Sequence, residues 1–242
     1  MTPSRSLARR AVPAVLLLLA AGFAALGIWQ IERRAWKHAL IASVESRIHA
    51  APVAAPGPPA WPALSATRDA YRRLSVSGRF LPGRDTLVRG VSDLGAGYWV
   101  MSPLDTGDFI VLVNRGFVPQ GHKGDLGPAT GRVSVTGLLR TSEPGGGFLR
   151  TNDPTAGRWY SRDVAAIARA RRLDRVAPYF IDADATPGGG YPAGGLTVVR
   201  FPDNHLVYAL TWFTLAFLSL AGLRLFRGTG RGPGLGPAGQ GC

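Results

Sequence analysis

Two uncharged apolar runs, residues 11–28 and 206–223, constrain this chain more than any other feature in it. Each approaches the roughly 20 apolar residues that a helix needs to cross a bilayer core. Trp29 closes the first run, and Tyr208 and Trp212 lie at the start of the second, where aromatic anchors sit at an interface. Arg5, Arg9 and Arg10 precede the first run, while Arg224, Arg227 and Arg231 follow the second. Basic residues gather on cytoplasmic flanks. The expected layout is a cytoplasmic N-terminus over 1–10, a transmembrane helix over 11–29 and a second over 206–226. Residues 30–205 then form an extracytoplasmic domain, and 227–242 a disordered, Gly-rich cytoplasmic tail. The segment 30–205 carries net charge +7, but long loops are translocated largely regardless of charge. A cleaved signal peptide is the alternative for the first run. It is disfavoured because signal cores span about 7–15 residues, and no small-residue cleavage zone separates the run from Trp29.

Charge and composition then remove several classes of function. The net charge is +13, and 26 of the 28 basic residues are Arg, only Lys37 and Lys123 being Lys. A pI of about 11.2 raises nucleic acid as a partner. Six of those bases flank the apolar runs, however, and the rest are scattered without aromatic interleaving, so nucleic acid is not expected. The sole cysteine, Cys242, allows no intramolecular disulfide, thiol pair or CxxC metal site. Two methionines exclude a thioether-rich copper site. Nucleophile-elbow, P-loop, HExxH and dinucleotide motifs are all missing from the sequence, and no two histidines share metal-ligand spacing on one element. No enzyme is expected.

Between the runs the hydrophobic period changes. Trp36, Leu40, Val44 and Ile48 continue a helical spacing beyond the first run, with Arg33, Arg34 and Lys37 among them. Those cations either snorkel to lipid head groups or form a basic lip for an anionic ligand. The proline-rich stretch 51–62 excludes regular helix and central strand, leaving a linker or an arm packed over the domain. Period-two alternation follows over 74–80, 86–89, 97–104, 109–115, 132–139, 179–182 and 196–201. The turn at 82–85 suggests that the first two of these form a hairpin, and 105–108 joins the next two. Only 162–172 reads as helix, with Ser161 as its N-cap. Asp182 and Asp184 are expected to be solvated. The fold class is therefore a membrane protein of α+β type, two transmembrane helices flanking an antiparallel β-rich domain with one helix.

One constellation suggests a ligand. His205 stands at the outer end of the second run, with Tyr208 and Trp212 on the same helical face. A neutral imidazole among aromatics suits axial ligation of haem iron; an interfacial histidine within an aromatic belt is the plainer alternative. At the end of strand 109–115, Asn114, Arg115 and Gly116 either brace a turn or present Arg115 to a partner.

Four segments carry a family resemblance. LGIWQIERRAWKHALI (26–41), VNRGFVP (113–119), PAGGLT (192–197) and NHLVYALTWF (204–213) resemble, in order and spacing, motifs of the surfeit locus protein 1 family. Val207 stands where that family often has Gln, and Phe117 where it usually has Trp. The resemblance implies an assembly factor for cytochrome c oxidase in the bacterial inner membrane, with both termini cytoplasmic and the main domain periplasmic. It further implies that haem A is bound and passed to the catalytic oxidase subunit, with His205 as the iron ligand and the haem A synthesis machinery and membrane lipid as further partners. Tyr208 and Trp212 would flank the ring, and Arg33 and Arg34 would meet its propionates. A cofactor-free scaffold that stabilises an oxidase assembly intermediate is the alternative.

Overall fold

The computed structural model describes residues 4–127, 131–147, 149–185, 190–196 and 203–229. They fall into two compact units, one of residues up to 41 together with those from 200 onward, the other of residues 42–199.

The first unit is a helix pair. Helix α1 (Ser4–Ile48) is unbroken through the apolar run and the basic segment after it, and α4 (His205–Thr229) covers the second run. Both are long and apolar enough to cross a membrane. Their outer surfaces carry large apolar side chains such as Leu18 and Phe217, 73% and 68% exposed. Such a surface requires an apolar solvent. The facing sides are built from small residues: Ala20, Ala209 and Ala216 are buried, and a Cβ on Gly27 would sit 2.6 Å from the Phe213 ring. With no hydrophobic drive between helices in lipid, this close approach supplies the packing. Phe23 stacks on Trp212, with ring centroids 5.7 Å apart. Helix α4 runs through Thr229, into the stretch expected as tail, and 230–242 lie outside the described residues.

The second unit is a small closed barrel. Seven strands form one sheet in the order β1-β2-β6-β7-β5-β4-β3. They are β1 (Val53–Ala54), β2 (Arg73–Phe80), β3 (Thr86–Ser92), β4 (Gly95–Asp105), β5 (Ile110–Pro119), β6 (Arg132–Thr141) and β7 (Val176–Ala183). Strand β2 also pairs with β4 at Arg79↔Asp105 and Phe80↔Leu104, closing β2-β6-β7-β5-β4 on itself. Most pairings are antiparallel as expected. Two are parallel, β1 on β2 and β7 on β5, so the sheet is mixed. Two helices join it, the single turn α2 (Ala66–Asp69) and α3 (Val164–Ala170).

The alternation along β5 and β7 divides two cores. Val111, Val113, Tyr179 and Ile181 point into the barrel with Leu74, Val76, Leu104 and Leu139. Leu112 and Phe180 point the other way, onto Val164 and Ile167 of α3 and onto Trp159. A parallel pair covered on both faces reads as a nearly continuous apolar run, and β5 does so.

Two local expectations change. The 82–85 turn does not fold β2 onto β3; β3 pairs with β4 through the short connection after Ser92. The cap of α3 is Asp163, whose carboxylate accepts from the Ala166 N–H at 3.0 Å. Ser161 is buried and accepts instead from Gly146 and Asn152. The expected strand 196–201 lies outside the described residues after Leu196, which is in no strand. The proline-rich stretch is a packed arm. Its Trp61 meets Phe109 edge-on, and its Pro56 carbonyl accepts from both Trp61 Nε1 and the Tyr179 hydroxyl.

Candidate functional site

The polar end of the helix pair is organised by residues just ahead of α4. Asp203 accepts the His205 backbone N–H at 3.1 Å, satisfying a donor that a helix start leaves free, and Asn204 O accepts the first helical bond, from the Tyr208 N–H. The second Asp203 oxygen accepts from His38 Nε2 at 2.7 Å and forms an ion pair with Arg34 at 3.4 Å, both from α1. The hydrogen bond from His38, then the one from the His205 N–H, hold the Asp203 carboxyl below the usual carboxylate range.

The His205 ring is held separately. Gln30 Oε1 on α1 lies 2.7 Å from His205 Nδ1. Nε2 has no hydrogen-bond partner among the described residues. Gln30, Lys37, Asn204, His205 and Tyr208 line an open cavity of about 280 Å³. That is just below the ligand-pocket range of about 300–1,000 Å³, so it can receive the edge of a flat ligand and cannot enclose one.

Of the five residues expected to hold a cofactor, the cavity gathers His205 and Tyr208. Arg33 lies over the Trp36 ring at 4.0 Å, Arg34 is engaged with Asp203, and Trp212 is stacked on Phe23. Sequence reasoning missed Gln30 and Asp203. Asp203-Asn204 before an apolar helix is capping chemistry and was legible in principle. Gln30 had no such signal, because one amide beside a tryptophan in a helix has many uses.

The domain holds a second polar cluster. Asp182, expected in solvent, is 3% exposed. Its carboxylate accepts from Asn114 and Arg140, each at 2.8 Å, and from Arg162 at 3.4 Å. Arg162 is held in turn by Glu143 at 2.5 Å. Burial pushes the Glu143 carboxyl up, but the hydrogen bonds and charge of Arg162 outweigh it and hold the group below its ordinary value. Asn114 also accepts from the Gly116 N–H. Gly116 has φ +132, and a Cβ there would meet the Ala193 carbonyl at 2.2 Å. The structure thus gives Asn114 and Gly116 bracing roles. Arg115 packs over Phe80, with Nη1 buried and without a partner. Burial lowers its pKa, with Asp85 opposing. Among the described residues, no group of three or more His, Cys, Asp or Glu is arranged to hold a metal ion.

Two apolar helices bracketing a closed mixed barrel, with an imidazole presented at the head of the second helix, define a membrane protein that carries one small β-domain. The chain belongs to the SURF1 family, whose model matches residues 17–217. It is 37% identical over 216 residues to a SURF1-like protein of Monosiga brevicollis, covering 81% of this chain and 80% of that one. It is 35% identical over 224 residues to Surfeit locus protein 1 of Rattus norvegicus, covering 83% and 70%. Against Surfeit locus protein 1 of Homo sapiens the identity is 34% over 227 residues, covering 84% and 73%.

Proposed function

We propose that this protein is an assembly factor for cytochrome c oxidase that receives haem A as cargo at His205 and assists its insertion into the catalytic oxidase subunit. In this reading it sits in a bacterial inner membrane with both termini cytoplasmic and the barrel periplasmic, and takes its cargo from the haem A synthesis machinery. The observation that carries the cargo role is the His205 ring, held through Nδ1 while Nε2 stays unclaimed beside an open cavity. A neutral imidazole nitrogen is an established axial ligand of haem iron. Tyr208 would lie along the edge of the ring, and Lys37, on the cavity wall, would set a cation beside it.

A second reading, a cofactor-free scaffold, draws support from the small cavity and from the engagement of Arg33 and Arg34 elsewhere. One experiment separates them. The full chain is purified from a host that also makes haem A, and its absorption spectrum is recorded beside that of His205→Ala. A near-stoichiometric Soret band that the variant loses supports the carrier. A band absent from both supports the scaffold, and a band unchanged in the variant removes His205 as the ligand.

A further inference from the structure

We infer that Gln30 is a positioning residue, whose side-chain carbonyl selects the His205 tautomer able to bind iron. The inference deepens the carrier reading and rests on His205 being the ligand. A carbonyl oxygen only accepts, so the 2.7 Å contact from Gln30 Oε1 requires the proton on His205 Nδ1. The lone pair is then on Nε2, the nitrogen with no partner among the described residues.

This direction opposes the imidazole's own preference. In water a neutral histidine side chain favours the proton on Nε2, the form that offers metal its more crowded nitrogen. A partner at Nδ1 reverses the preference, fixes the ring plane and raises the basicity of the ligating nitrogen. Among the described residues no other group competes for the role. Asp203 touches His205 only through the backbone N–H and spends its other oxygen on His38 and Arg34.

The placement also joins binding to helix pairing. Gln30 lies on α1 and His205 is the first residue of α4, so the ring is oriented only while the two helices are packed. Gly27, one turn before Gln30, permits that packing by leaving room for Phe213. A chain whose helices have separated keeps both side chains and loses the oriented ligand.

The test uses the full chain in detergent micelles. Nitrogen-15 NMR of labelled histidines, with His205→Ala assigning the signal, reads the tautomer before any haem is added. The wild type should show the proton on Nδ1, Gln30→Leu should shift the population toward Nε2, and Gln30→Glu, which keeps an accepting oxygen, should restore it. Titration with ferric haem A should then show Gln30→Leu binding about 10–100-fold more weakly, the range for loss of such a partner, with helix content and melting temperature unchanged. A wild-type proton on Nε2, or a Gln30→Leu variant equal to wild type in both tautomer and affinity, overturns the inference. If His205→Ala retains haem with an unchanged spectrum, the ligand reading falls, while the NMR result still judges Gln30 alone.

Discussion

The two units each gather arginine, carboxylate and amide groups, yet they finish the arrangement differently. Around Asp182 the cluster is closed: Asn114 and Arg162 take one oxygen, Arg140 the other, and Glu143 holds Arg162 from behind. Around Asp203 the carboxylate is just as fully engaged, but the adjoining His205 keeps one ring nitrogen open toward a cavity. Buried polar networks that satisfy every member rigidify a fold. The partly exposed group around Asp203 leaves one ring nitrogen open, and the proposed carrier role reserves that nitrogen for iron. Satisfaction, more than the kind of residue, separates the structural cluster from the proposed binding one.

That contrast can be broken by experiment. The largest effect should come from Asp182→Ala, which strips the half-buried Arg140 and Arg162 of their shared carboxylate. A loss of about 3–5 kcal/mol in domain stability is expected, read by thermal or denaturant unfolding, with haem bound per folded molecule unchanged. A fall in haem occupancy at equal folding would dissolve the distinction. Next comes Arg34→Glu, which sets a carboxylate against Asp203. It should weaken haem retention about tenfold, equivalent to roughly 1.4 kcal/mol, whereas Arg33→Glu, whose wild-type partner is Trp36, should do markedly less. Equal losses would mean that only net charge at the membrane surface matters.

Tyr179→Phe removes one donor from the Pro56 carbonyl and should lower stability by about 1 kcal/mol without altering haem binding. The smallest effect is on the acid limb. The folded Glu143 value is below the unfolded one, so its stabilisation is complete above the unfolded value and is lost as pH falls through the folded value. Glu143→Gln should therefore lower stability slightly at neutral pH, flatten the loss below about pH 4.5 and converge on wild type in acid. Unchanged acid sensitivity in the variant would assign the limb to other carboxylates.

Which parts of this were legible in sequence follows from the range of the forces involved. The apolar runs, the 105–108 turn and the alternation of β2, β4, β5 and β6 depend on neighbours in the chain, and the structure has them. The β2–β3 hairpin was suggested by a sound turn at Pro82 and Gly83, but β2 finds its partners in β6 and at the far end of β4, which no local signal announces. The burial of Asp182 has the same origin, since the side chains that surround it come from β5, β6 and the segment before α3. At the helix pair, His205 and Tyr208 could be named because they share one helix face. Gln30 could not, because its meaning comes from a residue 175 positions away. The family motif 26–41 contained it without saying what it does.

The shared carbonyl of Pro56 has a consequence of its own. It takes the Trp61 indole N–H at 2.9 Å and the Tyr179 hydroxyl at 2.8 Å, so one oxygen fastens the arm to itself and to β7 at once. Burial meanwhile raises the Tyr179 phenol well above its ordinary value, against the opposing charge of Arg72. Lifting the arm would wet the indole and release the phenol in a single event. The protein therefore carries its own optical gauge of arm attachment: tryptophan emission moving to the red as the phenol begins to ionise at lower pH.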